Sequence, residues 1–480
     1  MKTKNKAESR SLVDLSKKTF IQVAALLFAL VIAAIALTWV IPKGSFGVYP
    51  DGSTNYLEYE RLDGASGIPV WKGLLAPVLV FFSDNGLTLI MLTLFLLVIF
   101  AAFQVMNDVG GVSVLVGEAS RRFRKRRMLL MAAIAFVFMC FGAFLGQFEE
   151  MLTMLPIVSA LAVMVGFDSF TGFLVSIIAC GFGFASAITN PFTVLLACGL
   201  IGANPMEHIY YRVIIFAVMY LLLLGFAFIY IRRISKDPSK SLTAAHDKRL
   251  RESGALGSGE LFSRAEAKRI RITYAVFLTV CLALLITCSA VGALRDYTVP
   301  VLIAYFLIFG PAAGIICCRS PKKVFASFLR GIVGALPTVV FIALASSIKF
   351  IFDEGAIMPT IVNQINGIVE GKNLFLIALV LYGIILVLEF FISSSTAKAI
   401  LVMGMLAVVN VGLSKQMLVL IYTFADGYTN VLFPTSPVLL IALSMIEVDY
   451  FKWVKKSAPL FALNLLLVVL FIFIGVAAGY

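Results

Sequence analysis

The sequence predicts an all-α polytopic membrane protein with two inverted-topology repeats, each containing a re-entrant hairpin and a broken helix. Three observations predict this class: an apolar composition, many long apolar segments, and a pattern that recurs after about 245 residues. Of the 480 residues, 61% are hydrophobic and 14% are charged, and the mean hydropathy is +1.01. Because soluble domains carry about 25% charged residues, this composition excludes a soluble enzyme and indicates that much of the apolar surface faces lipid.

Thirteen apolar segments approach the length of about 20 residues that a helix needs to cross a bilayer. They are 20–41, 87–106, 128–145, 151–166, 173–200, 209–231, 272–291, 299–318, 332–352, 374–391, 397–412, 416–446 and 457–479. Long runs of Leu, Ile, Val and Phe predict helices, since each helix satisfies its own backbone in lipid. The first segment is too long for a signal peptide and lacks a small-residue cleavage site, so we interpret it as a span.

Basic residues outnumber acidic residues by 13, with 39 Lys and Arg against 26 Asp and Glu. They cluster in the tail 1–19, at 121–127, in the linker 232–271, at 319–330 and at 452–456. Threading the thirteen segments in order puts every cluster on one side of the membrane. The positive-inside rule makes this side cytoplasmic, so we expect a cytoplasmic N-terminus and a lipid bilayer, not a nucleic acid, as the partner of the chain.

The predicted organisation has eight parts. They are the cytoplasmic tail 1–19, the first span with an external segment 20–86, repeat 1 at 87–203, a span at 204–231, the cytoplasmic linker 232–271, connecting spans at 272–331, repeat 2 at 332–447 and the terminal span 448–480. The linker mixes basic and acidic residues with a GSG segment, which is typical of a solvated connector. The sequence allows a homodimer without indicating the oligomeric state.

The two repeats are recognised from matches at a nearly constant spacing. Asp108 matches Asp353 at an offset of 245, and Gly183 matches Gly427 at an offset of 244. Three predicted spans separate the copies, so the second copy should cross the membrane in the opposite sense. Inverted repeats are typical of secondary transporters, whose substrate site lies near the midplane between the copies.

Each repeat contains two apolar arms around a short polar tip, at 146–150 in the first copy and at 392–396 in the second. Such a pair of arms is either a re-entrant hairpin or two ordinary spans. Both alternatives leave the basic clusters on the same side of the membrane, so the distribution of charge does not distinguish them. A connection this short in corresponding positions of both copies favours the hairpin.

Each repeat also contains a helix that should be broken, at 173–200 and at 416–446. The expected helix-breaking residues are Gly181, Gly183 and Pro191 in the first copy and Gly427, Pro434 and Pro437 in the second. Freed carbonyls at such a break can bind a cation, and a freed helix N-terminus can bind a carboxylate. The alternative is a pair of proline kinks that only shape the packing, but two matched breaks rich in side-chain oxygen favour a binding site.

Four charged side chains fall at these tips and breaks, namely Glu149, Glu150, Lys398 and Asp426. Each costs about 2.5–3.5 kcal/mol to place in a membrane, so partners are required. Lys398 either pairs with an acid, leaving negative charge for a cation, or holds a substrate carboxylate. We interpret Glu389 and Lys349 as structural pairs or snorkelling residues. The scattered cysteines and two histidines predict neither a metal site nor a cofactor. We expect sodium or a proton as the coupling ion.

Three motifs resemble a known family: GQFEEM, ASAITNPF and ADGYTNVLFPTSP. They are similar to the YfcC-like basic amino acid antiporters, grouped with the anaerobic four-carbon dicarboxylate carriers. The wider ion transporter superfamily binds substrate and often sodium between hairpin tips and unwound helices, and moves like an elevator. The resemblance implies a site lined by Glu149, Glu150, Ser186, Thr189 and Asn190 and by Ser393, Ser394, Ser395, Thr396, Asp426, Thr429, Asn430, Thr435 and Ser436. The tip SSSTAK departs from the glycine-containing tip of relatives, so substrate specificity does not transfer.

From these observations we expect a secondary transporter of the bacterial inner membrane that carries a small charged amino acid or carboxylate. The acidic tip favours a basic amino acid exchanger, and a four-carbon dicarboxylate carrier is the alternative. An intramembrane enzyme with paired carboxylates is a second class, but it lacks HExxH and GxSxG motifs. A cation channel selected by acidic residues is a third class.

Overall fold

The fold is taken from a computed structural model, which describes residues 17–48, 54–62, 67–83, 86–252, 262–363, 373–392, 395–408 and 412–480. The tail before residue 17, the tip residues Ser393 and Ser394, and the linker residues 253–261 lie outside the described residues. The rest is almost entirely helical, with one two-stranded sheet among the described residues.

Helices of the first half lead from the first span into the first hairpin and the first broken helix. They are α1 (Lys17–Val40), α2 (Val70–Leu74), α3 (Ala76–Leu79), α4 (Gly86–Asp108), α5 (Gly111–Phe123), α6 (Arg127–Cys140), α7 (Leu155–Met164), α8 (Ser169–Phe173), α9 (Ala179–Ala185), α10 (Leu196–Ile201) and α11 (Ile209–Lys236). Wider π-helical turns at Phe141–Leu145, Leu174–Ile178 and Pro191–Leu195 extend α6, join α8 to α9 and open α10.

Helices of the second half follow a short linker helix. They are α12 (Ala244–Glu252), α13 (Arg264–Ala290), α14 (Thr298–Cys318), α15 (Pro321–Glu354), α16 (Met358–Asn363), α17 (Leu374–Phe391), α18 (Ser395–Val408), α19 (Lys415–Thr429), α20 (Pro437–Met445) and α21 (Tyr450–Ala478). Strands β1 (Gly44–Val48) and β2 (Thr54–Arg61) pair antiparallel, with an irregularity between Phe46 and Gly47.

Nine helices in the described part of the chain are long and apolar enough to cross a membrane. They correspond to nine of the thirteen predicted segments, which confirms a polytopic helical membrane protein. The other four segments, 151–166, 173–200, 397–412 and 416–446, are the second arms of the two hairpins and the two broken helices. Their helices are short, between five and fifteen residues, because a polar tip or break interrupts each apolar run.

Described residues of the basic clusters 121–127, 232–271, 319–330 and 452–456 lie on one side of the bundle, which we call the arginine face. The guanidinium of Arg127 lies 5.2 Å from the ring centroid of Phe167, and the Lys456 ammonium lies 5.0 Å from the ring of Tyr230. Arg330 pairs with Asp108 at 2.9 Å. The opposite side, which we call the C-terminal face, carries the contact between Ser414 and the carbonyl of Tyr480 and the ring contact of Tyr480 with His208.

The two hairpins begin and end at opposite faces. The first, residues 127–164, begins at Arg127, which lies over Phe167 just beyond its second arm. The second, residues 374–408, begins at Leu374, which lies against Gly412 beyond its own second arm. Phe375 packs edge-to-face on Phe473 near the end of α21, with ring centroids 5.4 Å apart. Gly146 of the first tip lies against Asn190 of the first broken helix, and Lys398, just after the second tip, contacts Asp426 of the second.

Segments between the spans dock in two places that the sequence did not predict. On one side the β1–β2 hairpin contacts α16 and the turn before it, with the Tyr59 and Thr360 hydroxyls 2.9 Å apart and the amide of Gly44 donating to the carbonyl of Ala356 at 3.0 Å. On the arginine face, Asp247 of α12 is buried and accepts a hydrogen bond from the backbone amide of Ser169 at 3.2 Å. Most described linker residues are exposed, and Thr243 and Asp247 anchor the linker to α8.

Candidate functional site

The two broken helices touch through their backbones next to their breaks. A Cβ atom built on Gly427 of α19 would lie 2.1 Å from the Cα of Ala185, the last residue of α9. A Cβ on Gly181 would likewise lie 2.2 Å from a methyl of Val431. Two of the predicted helix-breaking glycines therefore act as contact points, which bring the first break, 186–190, against the second, 430–436.

The first break is held by the first hairpin. The amides of Ile188 and Thr189 donate to the carbonyl of Ala143 at 2.9 and 3.2 Å. Asn190 donates from Nδ2 to the carbonyl of Gly142 at 3.1 Å, and its Oδ1 accepts from the amide of Phe192 at 2.9 Å. Asn190 therefore caps the helix that begins at Pro191 and ties it to the hairpin.

Close backbone contact also joins the first hairpin to α9. A Cβ on Gly142 would lie 2.1 Å from the carbonyl oxygen of Cys180, and one on Gly183 would lie 1.9 Å from that of Met139. Gly146 has a positive φ of 68° and packs on Asn190. Glycine is required here because a side chain would meet both a strained backbone and a neighbouring atom.

The acidic pair sits at the tip of this hairpin, just after the buried Gln147. The Glu149 side chain is exposed and that of Glu150 is half-buried. Phe148, beside them, lies 3.4 Å from a Cβ built on Gly181 and packs on Phe184 with centroids 6.3 Å apart. Phe148 of the tip therefore packs on α9, and the acidic pair follows it directly in sequence.

Lys398 is the centre of the second tip. Its Nζ lies 2.7 Å from Oδ1 of Asp426, touches Oε1 of Glu389 and donates to the carbonyl of Ile392 at 3.1 Å. The relative exposures of the lysine, glutamate and aspartate side chains are 0%, 2% and 0%. We call these three residues the charge triad; it carries two carboxylates and one ammonium.

Neighbouring hydroxyls hold the outer oxygens of the triad. Ser395 donates from Oγ to Oδ2 of Asp426 at 2.9 Å, and Tyr422 donates to the carbonyl of Ser395 at 2.5 Å. The Thr429 hydroxyl lies 3.1 Å from Oε2 of Glu389. These bonds position both carboxylates independently of the lysine, as buried charges require.

The second break runs from Asn430 to Ser436. Asn430 donates from Nδ2 to the carbonyl of Asp426 at 2.9 Å. Ser436 caps α20, because its hydroxyl accepts from the amide of Leu439 at 3.4 Å, and Pro437 follows at the first helical position. Thr435 beside it is buried. This break therefore repeats the arrangement of Asn190 and Pro191 in the first.

The predicted site residues thus fall into two groups. Ser395, Lys398, Asp426, Thr429 and Asn430 are joined by direct contacts. The first-copy residues contact their own hairpin or helix, as Ser186 does by donating to the carbonyl of Phe182 at 2.6 Å. Thr396 is exposed. Pro434 lies inside the second break. Among the described residues, the acids that pair with Lys398 are Glu389 and Asp426.

A cavity of about 370 Å³ lies against the second hairpin tip. It is lined by Lys349, Phe352, Asp353, Ala356, Met358, Pro359, Ile392 and Leu401. Lys349 and Asp353 form an ion pair of 2.9 Å in its wall. Ile392 belongs to both the cavity wall and the cage around Lys398, so the cavity approaches the charge triad to within one residue.

Residues 20–477 match the family described as DcuC, C4-dicarboxylate anaerobic carrier. The chain belongs to the DcuC family. It is therefore a membrane transporter and not an enzyme.

Two curated proteins show how the DcuC-family chain relates to individual relatives. The "Putative basic amino acid antiporter YfcC" of Escherichia coli (strain K12) is 26% identical over 91% of this chain and 92% of its own length. An uncharacterized protein of Haemophilus influenzae is 21% identical over 95% of this chain and 97% of its own. Both matches cover more than nine tenths of this chain and of the relative.

Two solved transporter structures are distantly similar. Neisseria gonorrhoeae MtrF, described in its report as illuminating a class of antimetabolite efflux pumps, aligns with TM-score 0.43 and 13% identity over 95% of each chain. The Alcanivorax borkumensis YdaH transporter aligns with TM-score 0.40 and 14% identity over 95% of this chain and 99% of its own. At these values neither likeness carries an argument about this member of the DcuC family.

Sequence reasoning missed two residues of the site in this DcuC-family member. Glu389 was interpreted as a structural pair or a snorkelling residue and was not placed in the site; it pairs with Lys398, the central residue of the charge triad. Tyr422, which holds the backbone of Ser395, was not predicted at all. The sequence does contain a signal for Glu389. It lies nine residues before Lys398, on the other arm of the same apolar hairpin, so the two side chains can meet only across the tip.

Proposed function

We propose that this protein exchanges basic amino acids across the bacterial inner membrane by alternating access, with its N-terminus in the cytoplasm. The substrate lies between the two hairpin tips and the two helix breaks. The coupling is antiport, and the arginine face is the cytoplasmic face, as the positive-inside rule requires.

The observation that carries this proposal is the charge at the tips and breaks. Glu149, Glu150, Glu389 and Asp426 supply four carboxylates, and Lys398 supplies one ammonium. Because charge is costly inside a membrane protein, this excess favours a substrate that brings positive charge. Glu149 is the accessible member, so we assign it and Glu150 to the ammonium or guanidinium group of the substrate.

The carboxylate of an amino acid substrate needs a different partner. The helices that begin at Pro191 and Pro437 direct their amino ends toward the crossing, behind the caps Asn190 and Ser436. Helix N-termini attract carboxylates through their free amides and dipole. One of these two ends binds the substrate carboxylate in this proposal, while the acidic tip binds the cationic end.

Alternating access follows from the opposed hairpins. The first begins and ends at the arginine face and the second at the C-terminal face. This supports an inverted repeat in which each hairpin gates one side of the membrane. The two hairpins and two broken helices move together, like an elevator, against a scaffold that includes α4, α14 and α15.

A four-carbon dicarboxylate carrier is the second candidate, favoured by the description of the family. In this chain a dicarboxylate would meet a triad whose lysine is already shared by two acids. The net negative charge opposes such a substrate, so we place this candidate second.

Counterflow in proteoliposomes tests the proposal. Vesicles loaded with unlabelled arginine or lysine should accumulate labelled arginine, whereas vesicles loaded with succinate should not accumulate labelled succinate. The E149Q/E150Q variant should lose this counterflow. E118Q is the matched control, because Glu118 pairs with Arg121 at 3.2 Å on the arginine face, away from the tips.

Three results would overturn the proposal. Succinate counterflow without arginine counterflow would favour the dicarboxylate carrier. Flux that is not stimulated by substrate on the opposite side would indicate a channel. Undiminished arginine counterflow in E149Q/E150Q would remove the acidic tip from the site.

A further inference from the structure

An oxygen cage surrounds the ammonium of Lys398. Its members are Oε1 of Glu389, Oδ1 of Asp426 at 2.7 Å and the carbonyl oxygen of Ile392 at 3.1 Å. They come from two elements: Glu389 and Ile392 lie at the end of α17, and Asp426 lies on α19. The cage is therefore assembled by tertiary structure and not by one local turn.

Two carboxylates and a backbone carbonyl are the ligand types that hard cations take. Sodium and a primary ammonium carry the same single charge, and both are bound by such oxygens. The cage stays in place without the lysine, because Ser395 and Thr429 hold the outer carboxylate oxygens at 2.9 and 3.1 Å. If the ammonium were removed, two buried carboxylates would face each other and would need either a shared proton or another cation.

We propose that Lys398 is a tethered occupant of a sodium-type cation site formed by Glu389, Asp426 and the carbonyl of Ile392. The ammonium neutralises the site permanently, because the lysine side chain cannot leave with the substrate. A free ion in this cage would exchange with solvent on each side and couple transport to its gradient. The occupancy of this site by Lys398 does not depend on the proposed transport function. Only its consequence does, namely that the site does not couple transport to sodium.

The lysine also joins moving parts. Its side chain extends from α18, the second arm of the hairpin, to Glu389 on the first arm and to Asp426 on α19, one helical turn before the second break. A cation in this position closes the hairpin tip on the broken helix. A tethered cation makes that contact independent of the sodium concentration.

The first test measures thermal unfolding of the purified full-length protein in detergent, without any amino acid. Midpoints are compared in sodium chloride and in N-methylglucamine chloride at equal ionic strength. The wild type should have the same midpoint in both. K398A should have a lower midpoint in N-methylglucamine, and sodium should raise it in a saturable way, with about one sodium ion bound per chain.

K72A is the matched control. Lys72 also pairs with a glutamate, Glu354, at 2.5 Å, but both side chains are about one third exposed. When Lys72 is replaced, water can therefore solvate the carboxylate of Glu354. Its midpoint should not respond to sodium. A second variant, E389Q/K398A, keeps the triad's net charge of one negative unit and avoids two facing carboxylates, so it should fold and still respond to sodium, more weakly.

Several outcomes would overturn the inference. One is a midpoint that rises with sodium in the wild type but not in E389Q. Others are a folded K398A or E389Q/K398A that ignores sodium, or the failure of both variants to fold in sodium-containing buffer. Because no arm contains an amino acid, failure of the basic amino acid proposal would leave these results unchanged, and loss of the sodium response would leave arginine counterflow unaffected.

Discussion

Gly427 and Ala185 are in backbone contact, and this contact sets the distance between the two broken helices. A Cβ on Gly427 would overlap the Cα of Ala185 at 2.1 Å, so the helices would have to separate for any larger residue. Both residues border the breaks that carry the candidate site. The crossing is therefore the point at which a small change in packing would alter the site most.

The first prediction concerns this contact. G427A should destabilise the protein by about 1–3 kcal/mol, which is the usual range for overpacking, and should abolish counterflow. The control is G225A, because nothing lies within 4 Å of a Cβ at Gly225 in α11, and alanine there should be neutral or stabilising. Thermal unfolding and arginine counterflow measure both effects. Normal transport in G427A would show that the spacing of the helices does not matter.

The second prediction concerns the charge triad. K398M should be the most damaging single change, at about 3–5 kcal/mol, since it leaves two buried carboxylates without a partner. E389Q leaves one lysine and one aspartate, so its cost should be smaller. Adding E389Q to K398M should then restore stability relative to K398M alone. A double-mutant cycle from unfolding midpoints in sodium-free buffer measures this coupling, and additive effects would contradict it.

The third prediction concerns pH. Burial raises the pKa of Glu447, but the hydrogen bond from His246 and the charges of His246 and Arg249 outweigh it, so the pKa lies below its usual value of 4.5. A carboxyl with a lowered pKa stabilises the fold above its usual pKa and loses this contribution as the pH falls through the lowered value. The contact between α12 and the end of α20 should therefore weaken in acid.

The measurement compares wild type with E447Q from neutral pH down to about pH 3. E447Q should be less stable at neutral pH and should show a smaller loss on acidification. Asp247 nearby has a pKa that burial raises despite hydrogen bonds from Ser169 and Thr243, and it is present in both proteins, so the difference isolates Glu447. Parallel acid curves for the two proteins would contradict the prediction.

The fourth prediction concerns topology. In a cysteine-free background, R122C on the arginine face and H208C on the C-terminal face should react with a membrane-impermeant maleimide from opposite sides of the membrane. R122C should be protected in intact cells and H208C labelled. Labelling of both positions from one side would remove the inverted topology, and with it the paired gates.

Much of the fold follows from local patterns. The nine spans are predicted by long apolar runs, and the tips and breaks by Gly, Pro and polar residues inside such runs, because both effects depend on neighbours in sequence. Asn190 and Ser436 were predicted to line a site, and the structure makes each of them a helix cap.

Contacts between distant elements could not be predicted in this way. The cage of Lys398 depends on how α17, α18 and α19 pack, and its partners are 9 and 28 residues away in sequence. The docking of Asp247 on Ser169 spans 78 residues. A hydrophobic pattern identifies which face of a helix is buried and leaves open which residue of another helix lies opposite.

The length of α15 bears on the choice of host lipid. Between Arg330 and Lys349 this helix presents an uncharged stretch that rises about 28 Å at 1.5 Å per residue, close to the hydrocarbon thickness of about 30 Å of an ordinary bilayer. Both ends are fastened to other helices, by Arg330 to Asp108 of α4 and by Glu354 to Lys72 of α2, which limits tilting. In a bilayer of long-chain phosphatidylcholines, one of these ion pairs would lie among the acyl chains. The transport rate should therefore depend on acyl-chain length even when the solute and its gradients are held constant.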